Sequence, residues 1–283
     1  MSFSDVNPIV VKNIKIAAEA GDFHATVELG DPTPTPKEAL AIGERYMRSR
    51  NSPPYKIKRF FAEAIANTAT KVLHKSTEIV GLENLSGISG GAIFTSNHFH
   101  PLDSTAVRRV VREIGGGKLN VVSRASNFAM TGFVGFLMNY ARTIPLLTDS
   151  HYTARKFTPA IGEMLSRGEY VLVYPEASMW KNYRKPRPTM PGAYYLAAKF
   201  GVPVIPVFTE MNETDNGISY RIHVGKPLVA TDNETVRESA ARMQREDERF
   251  RISVYEKCYG RPYDSAFSPE DIAGYLPTVE STK

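Results

Sequence analysis

The stretch GAIFTSNHFHPLDSTAVRRVVREIGGG, residues 91–117, decides the fold class of this chain. Residues 91–97 form a short apolar segment after a Gly-rich turn, and this pattern is typical of a buried strand. Residues 103–114 are predicted to form a helix that carries three arginines, and the glycines at 115–117 end it. A buried strand that leads directly into a helix indicates an α/β unit.

The same alternation of strands and helices continues on both sides of this stretch. Predicted strands cover residues 77–80, 119–123, 143–147, 170–174, 202–208 and 219–224. Predicted helices lie between them at 132–141, 152–167 and 192–200. Because several strands are apolar on both faces, we expect an α/β fold with a mostly parallel sheet that helices cover on both faces.

The first 76 residues have a different pattern and are predicted to form a small N-terminal helical layer, followed by a second domain over residues 77–283. A helix should begin at Pro36, with Thr35 as its cap and Glu38 completing a capping box. A second helix, Tyr55–His74, is basic and amphipathic. Two interpretations of it are open: it packs on the core, or it lies on an anionic membrane surface.

Composition limits the class of protein. The chain has 283 residues, 42% of them hydrophobic, and a formal net charge of +5, which fits a globular protein and suits either an anionic partner or an ordinary charged surface. The one cysteine, Cys258, excludes an intrachain disulfide framework and a multi-cysteine metal cluster, and we expect no metal site. We expect a reducing, cytoplasmic location, with no secretory leader and no membrane-spanning helix.

Two polar clusters follow predicted strands and should meet at one edge of the sheet. The first is residues 97–104, NHFHPLDS, and the second is residues 175–178, PEAS. In the first cluster, Asp103 can orient the ring of His98 and leave its other nitrogen to act as a general base. The alternative is that Asp103 caps the next helix and His98 is a loop histidine, and His100 is a rival for the role of base.

Four segments resemble motifs of the glycerolipid acyltransferase family, which includes glycerol-3-phosphate and lysophosphatidic acid acyltransferases. Residues 97–103 resemble its signature of a histidine, four residues and an aspartate, and residues 174–178 resemble its Phe-Pro-Glu-Gly-Thr-Arg motif. Residues 191–207 are similar to its terminal Val-Pro-hydrophobic-Pro-Val segment, and residues 142–146 stand where it has a Gly-x-Ile-Phe-x-x-Arg strand. The order of the motifs fits, and the resemblance covers roughly residues 77–230.

The resemblance implies that an acyl group moves from acyl-CoA or acyl carrier protein to a hydroxyl of a lysophospholipid or glycerol-phosphate-like acceptor. His98 would be the base and Asp103 its partner, with no metal or bound cofactor required. It also implies a peripheral position on the inner membrane face, with lipid and not nucleic acid as the partner. The candidate substrate-binding residues are Glu176, Ser178, Arg142, Lys181 and Arg184.

The chain departs from the family pattern where the acceptor would bind. Ala177-Ser178-Met179 replaces Gly-Thr-Arg, and Thr148 stands where the family often has arginine. Without these two planar cations, a simple glycerol phosphate acceptor is in doubt. The basic run 181–187 either substitutes for them or forms a solvated loop, and Arg124 and Arg142 are further candidates.

Two other functions stay open at this point. A serine hydrolase on an α/β sheet is disfavoured because the sequence has no Gly-x-Ser-x-Gly elbow. A non-catalytic lipid-binding relative is disfavoured because both His98 and Asp103 are present. The segment 128–138, rich in Phe and Met, is predicted to be either the wall of an acyl-chain groove or a buried core helix.

Overall fold

A computed structural model describes residues 6–215, 217–264 and 266–275. Their centre is a seven-stranded sheet in the order β1-β7-β6-β2-β5-β3-β4. The strands are β1 Glu78–Val80, β2 Ala92–Thr95, β3 Leu119–Arg124, β4 Thr143–Leu146, β5 Tyr170–Val173, β6 Val204–Thr214 and β7 Gly217–Val224. All neighbours pair in parallel except β6 and β7, which form an antiparallel hairpin.

Nine α-helices surround this sheet within the described residues. They are α1 Pro8–Glu19, α2 Pro36–Ser49, α3 Pro53–Leu73, α4 Ser104–Glu113, α5 Gly132–Tyr140, α6 Ser150–Tyr152, α7 Thr158–Ser166, α8 Gly192–Phe200 and α9 Val236–Tyr259. A π-helical segment, Thr153–Phe157, joins α6 to α7. No helix in the described part of the chain is both long and apolar enough to cross a bilayer.

Helices cover both faces of the sheet, which confirms the predicted α/β class. One apolar cluster joins the sheet to α2, α7, α8 and α9. A second joins the opposite face to α4. The central strand β2 is buried along its whole length, as expected for a strand between two helical layers.

Helix α1 was not among the predicted elements, and it joins the N-terminal region to the rest of the chain. Its apolar side chains pack with Val27, Trp180, Tyr183 and Ile272 in a third cluster. The proposed boundary between residues 76 and 77 stays a prediction, and the predicted end of the second domain at residue 283 lies outside the described residues.

The charged sequence of residues 234–257 predicts a solvated outer helix, but one face of the observed α9 is buried. Asp247 and Arg251 are both fully buried in it and form an ion pair at 2.8 Å. The Tyr194 hydroxyl donates to the Asp247 carboxylate at 2.6 Å. Residues four apart in a helix lie next to each other on its surface. Each buried charge therefore has an opposite charge beside it, which offsets part of the free-energy cost of removing both from water.

Candidate active site

The two polar clusters meet because the strands before them are neighbours. Strands β2 and β5 pair in parallel, with Thr95 opposite Val173, so residues that follow them leave the sheet at the same edge, called here the carboxyl edge. Asn97 fixes the first turn: its amide donates to the Thr209 carbonyl at 3.0 Å, and its oxygen accepts from the Thr209 amide at 2.8 Å.

His98 and Asp103 form the expected hydrogen bond. The Nδ1 atom of His98 lies 2.7 Å from Asp103 Oδ2. Asp103 is the residue before α4, but its side chain makes no capping hydrogen bond. Its Oδ2 instead accepts from the amides of Phe99 and His100 at 3.0 and 3.3 Å. The alternative in which Asp103 caps the helix is therefore wrong.

Tyr174 completes the surroundings of the pair. Its hydroxyl donates to Asp103 Oδ1 at 2.5 Å, and its ring stacks on the His98 ring with centroids 4.0 Å apart. Burial, followed by the charge of Asp103, raises the pKa of Tyr174 well above its usual value, so the hydroxyl stays protonated as a donor. The stacking and the Nδ1 bond together hold the imidazole in one orientation and turn Nε2 away from the carboxylate.

His100 has different surroundings from His98. Its Nδ1 accepts a hydrogen bond from the Leu102 amide at 3.1 Å, and burial lowers its pKa. A nitrogen that already accepts from a buried backbone amide is poorly placed to accept a proton from a substrate. The geometry therefore favours His98 over His100 as the base.

Glu176 lies beside His98, but its position differs from the one predicted. It is 2% exposed, and its Oε2 accepts from the His98 amide at 3.3 Å and from Arg187 Nη2 at 2.9 Å. Its Oε1 accepts from the Arg187 amide at 3.4 Å, with Arg251 3.8 Å away. Because protein donors contact both oxygens, Glu176 holds the two loops together in this structure, and its contact with an acceptor stays a prediction.

Residues 23–28, called here the N-terminal strap, lie across the second polar cluster. The sequence did not predict that this segment belongs to the site. Its Glu28 accepts from the Lys181 amide at 3.0 Å, and burial raises the pKa of Glu28. Its backbone oxygens at His24 and Ala25 accept from the side chains of Ser178 and Trp180. No motif predicted these contacts, because they depend on where α1 packs.

The predicted substrate-binding residues divide into two groups. Ser178 lies at the carboxyl edge, where its hydroxyl accepts from Arg124 Nη2 at 2.7 Å, and Lys181 lies in the same loop. Arg124 is exposed and also donates to Thr26 at 2.8 Å. Arg124, rather than either motif position, thus brings a planar cation to this edge.

Arg142 and Arg184 lie away from the His98 pair. Arg142 directly precedes β4, at the opposite edge of the sheet, where it pairs with Glu63 and Glu169. Arg184 pairs with Glu213 at 2.8 Å and lies over the ring of Tyr259. Each guanidinium pairs with protein carboxylates away from the His98 loop, and a substrate contact of either residue stays a prediction.

The basic run 181–187 is not a solvated loop either. The side chain of Arg187 is 1% exposed and that of Lys185 is 6% exposed. Lys185 pairs with the buried Asp271 at 3.0 Å, and Arg187 pairs with the buried Glu176 at 2.9 Å. These cations are fixed by buried ion pairs, which leaves them poorly placed to hold an acceptor phosphate.

The predicted core helix in segment 128–138 is also corrected. Phe128 is buried and lines a cavity of about 240 Å³ with Ile42 and Tyr55. Gly135 alone is buried in α5, while Phe133 and Val134 are 63% and 52% exposed. Helix α5 is therefore a surface helix with an apolar outer side, and the role of the segment as the wall of an acyl-chain groove stays a prediction.

Comparisons with known proteins find similarity to acyltransferases. Residues 76–210 match the family model described as Acyltransferase. Over 168 residues the chain is 28% identical to the 1-acyl-sn-glycerol-3-phosphate acyltransferase BAT2, chloroplastic, of Brassica napus, which covers 59% of this chain. The chain spans 44% of the length of that relative. The 1-acyl-sn-glycerophosphate (LPA) acyltransferase PlsC from Thermotoga maritima aligns over 90% of this chain and 99% of its own, with 16% identity and a TM-score of 0.49.

Proposed function

We propose that this chain, whose residues 76–210 match the family model described as Acyltransferase, transfers a fatty acyl group to a hydroxyl in phospholipid biosynthesis. The acyl donor is acyl-CoA or acyl carrier protein, and the acceptor is a lysophospholipid or a glycerol-phosphate-like molecule. The observation that carries the proposal is the 2.7 Å contact between His98 Nδ1 and a carboxylate of Asp103 that does not cap its helix.

The proposed reaction has two proton transfers and one acyl transfer. His98 Nε2 takes the proton of the acceptor hydroxyl, and the oxygen attacks the thioester carbonyl carbon. The C–S bond then breaks, an ester forms, and the leaving sulfur takes the proton from the imidazolium. Asp103 stabilises the imidazolium while it carries the charge. The acyl thioester is the only co-substrate that these steps need.

Arg124 supports an anionic acceptor in spite of the missing motif arginines. It is exposed at the carboxyl edge and bonded to Ser178, two residues after Glu176. A guanidinium offers a phosphate two parallel hydrogen bonds. We propose that Arg124 contacts the acceptor headgroup, with Ser178 holding the guanidinium in place.

We also propose that the protein binds the surface of an anionic membrane through α3 and α5. The two helices lie together, since the Tyr55 hydroxyl donates to the Asn139 carbonyl at 2.8 Å. The α3–α5 surface consists of Ile57, Phe60, Phe61, Phe133 and Val134, whose exposed fractions are 59%, 68%, 57%, 63% and 52%. Apolar side chains beside exposed lysines are typical of interfacial helices. The predicted location on the inner face of the cytoplasmic membrane is part of this proposal.

Vesicle flotation tests the membrane proposal. Phe60→Ser with Phe61→Ser should abolish binding to anionic vesicles, because each phenylalanine contributes about 1.5–3 kcal/mol when buried. Lys56→Gln with Lys58→Gln should leave weaker binding that responds less to salt. Leu29→Ser is the matched control, because Leu29 is 51% exposed but lies outside α3 and α5. Undiminished flotation of the phenylalanine variant would refute this surface.

Thiol release from acyl-CoA tests the activity. Release should require an acceptor hydroxyl, and His98→Ala should abolish it, whereas His151→Ala, which changes an exposed histidine on α6, should not. Product mass spectrometry with a lysophospholipid mixture and glycerol phosphate identifies the acceptor. Acceptor-independent cleavage would indicate a thioesterase, and activity that survives His98→Ala would refute the base.

A further inference from the structure

Three side chains that could bind a metal ion converge away from His98, where β6, β7 and the end of α9 meet. They are Glu210, His223 and Cys258, and one potential ligand atom of each lies within 4.8 Å of the other two. Glu210 is on β6, His223 is on β7, and Cys258 is in the last turn of α9. The pairing of the strands explains the contact, since His223 lies opposite Phe208, two residues from Glu210 on the same face.

The contacts argue against a cysteine nucleophile. Glu210 Oε2 lies 2.8 Å from His223 Nε2, and Cys258 Sγ lies 3.5 Å from the same nitrogen. A cysteine–histidine–glutamate relay needs the thiol and the carboxylate on different ring nitrogens. Here both groups point at one nitrogen, so the three atoms surround a single point instead of forming a chain.

We propose that Glu210, His223 and Cys258 form a zinc site that joins β6, β7 and α9. Zinc takes thiolate, imidazole and carboxylate ligands in tetrahedral geometry, at about 2.3, 2.0 and 2.0 Å. That geometry separates neighbouring ligand atoms by roughly 3.3–3.6 Å. The 3.5 Å separation of Cys258 Sγ and His223 Nε2 fits it, and the 2.8 Å separation of Glu210 Oε2 and His223 Nε2 must lengthen by about 0.5 Å when the ion binds. Water takes the fourth position, since Cys258 is only partly buried.

One neighbouring side chain orients Glu210 as a ligand, and the charge of another opposes the binding of a cation. The Asn212 amide donates to Glu210 Oε1 at 2.8 Å, which leaves Oε2 to face the histidine, and hydrogen bonds of this kind orient metal ligands. Arg221 Nη1 lies 3.4 Å from Glu210 Oε2 and its charge disfavours a cation. Glu78 partly offsets this, because it accepts from Arg221 Nε at 2.8 Å.

The site departs from the sequence-based expectation of no metal, which followed from the family resemblance, while the single cysteine excluded only a multi-cysteine cluster. One thiolate is sufficient in a mixed site, and binding releases the thiol proton to solvent. Because Glu210 follows Thr209, whose backbone holds Asn97, the zinc ion would stabilise the strand that supports the His98 loop. The proposal does not depend on the acyltransferase activity.

Cobalt absorption tests the site, since Cys258 is the only cysteine of the chain. The full-length protein should bind one equivalent of Co²⁺ with a thiolate-to-cobalt charge-transfer band, which excess Zn²⁺ removes. Cys258→Ser should abolish the band, and Glu210→Gln or His223→Gln should weaken zinc binding more than the approximately 10–100-fold loss expected for Asn212→Ala.

Two controls separate this site from adventitious binding. His151→Gln changes an exposed histidine on α6 and should leave the band and the zinc affinity unchanged. Zinc should raise the melting temperature of the wild-type protein and of His151→Gln but not of Cys258→Ser. A folded wild-type protein that shows no charge-transfer band at saturating Co²⁺ would overturn the proposal, as would zinc affinity that is equal in Cys258→Ser.

Discussion

Replacing Asp103 by asparagine tests the central pair with little change in shape. Three N–H donors point at Asp103 Oδ2: His98 Nδ1 and the amides of Phe99 and His100. The asparagine oxygen should therefore take the Oδ2 position, and its NH₂ group should face the Tyr174 hydroxyl, which can turn to accept. His98 then keeps its orientation and its tautomer, so that the variant removes the negative charge alone.

The expected loss of kcat follows from the distance between the Asp103 carboxylate and the His98 imidazolium. In the transition state a carboxylate stabilises an imidazolium 2.7 Å away, which contributes about 6 kcal/mol at an effective dielectric constant of about 20. The His98 side chain is 20% exposed, and the neutral amide keeps a hydrogen bond of about 1 kcal/mol. Allowing about half of the attraction to be lost, we expect a barrier about 3 kcal/mol higher, which lowers kcat by about 100-fold.

Acceptor-dependent thiol release under saturating substrates measures this change. Tyr174→Phe is the matched control, because it removes one donor to Asp103 but keeps the stacked ring, and kcat should fall by less than about tenfold. Far-ultraviolet circular dichroism and urea unfolding establish that both variants fold. A folded Asp103→Asn enzyme with kcat within about threefold of wild type would show that the Asp103 charge does not act through His98.

Three further predictions concern the guanidinium at the carboxyl edge, a buried ion pair and a buried histidine. Arg124→Gln should raise KM for a phosphate-bearing acceptor about tenfold while kcat changes little, and an unchanged KM would rule out the headgroup contact. Arg187→Met should lower the free energy of unfolding in urea by about 3–5 kcal/mol by leaving Glu176 buried without its main partner, against less than about 1 kcal/mol for the exposed Arg48→Met. Burial lowers the pKa of His74 from 6.5 to about 4. The unfolded chain therefore binds the proton first as pH falls, and up to about 3 kcal/mol of stability should be lost between pH 6.5 and about 4. In urea titrations His74→Gln should lack that loss, and an equal loss would exclude His74 as its source.

Local patterns were sufficient for most elements of the fold. Thr35 and Glu38 form the predicted capping box, with both reciprocal hydrogen bonds present, because a cap depends on residues three apart in sequence. The buried strands were predictable for a similar reason, since apolar residues on both faces require a layer on each side. Helix α1 was missed although local signals were present, since Asn7 caps it, Pro8 begins it, and its buried residues recur at helical spacing.

Side-chain roles at the site depended on contacts between distant residues. The sequence indicated His98 and Asp103, but whether Asp103 capped α4 or turned back to the histidine was open until the fold placed the amides of the loop around it. Glu176 and Arg187 lie eleven positions apart, and no local pattern indicated that they form a buried pair. Arg142 precedes its strand and Arg124 ends its strand, so the two lie at opposite edges of the sheet.

By itself, the sequence of this protein determined the α/β class, the order of most helices and strands, and the loop that carries His98. These features depend on residues within one turn or one strand, where periodicity and caps act directly. Only the tertiary structure decided which charges face the carboxyl edge, which are buried in pairs, and that Glu210, His223 and Cys258 meet. The burial of a charged side chain is determined by the partner that the fold brings to it, and that partner is usually far away in sequence.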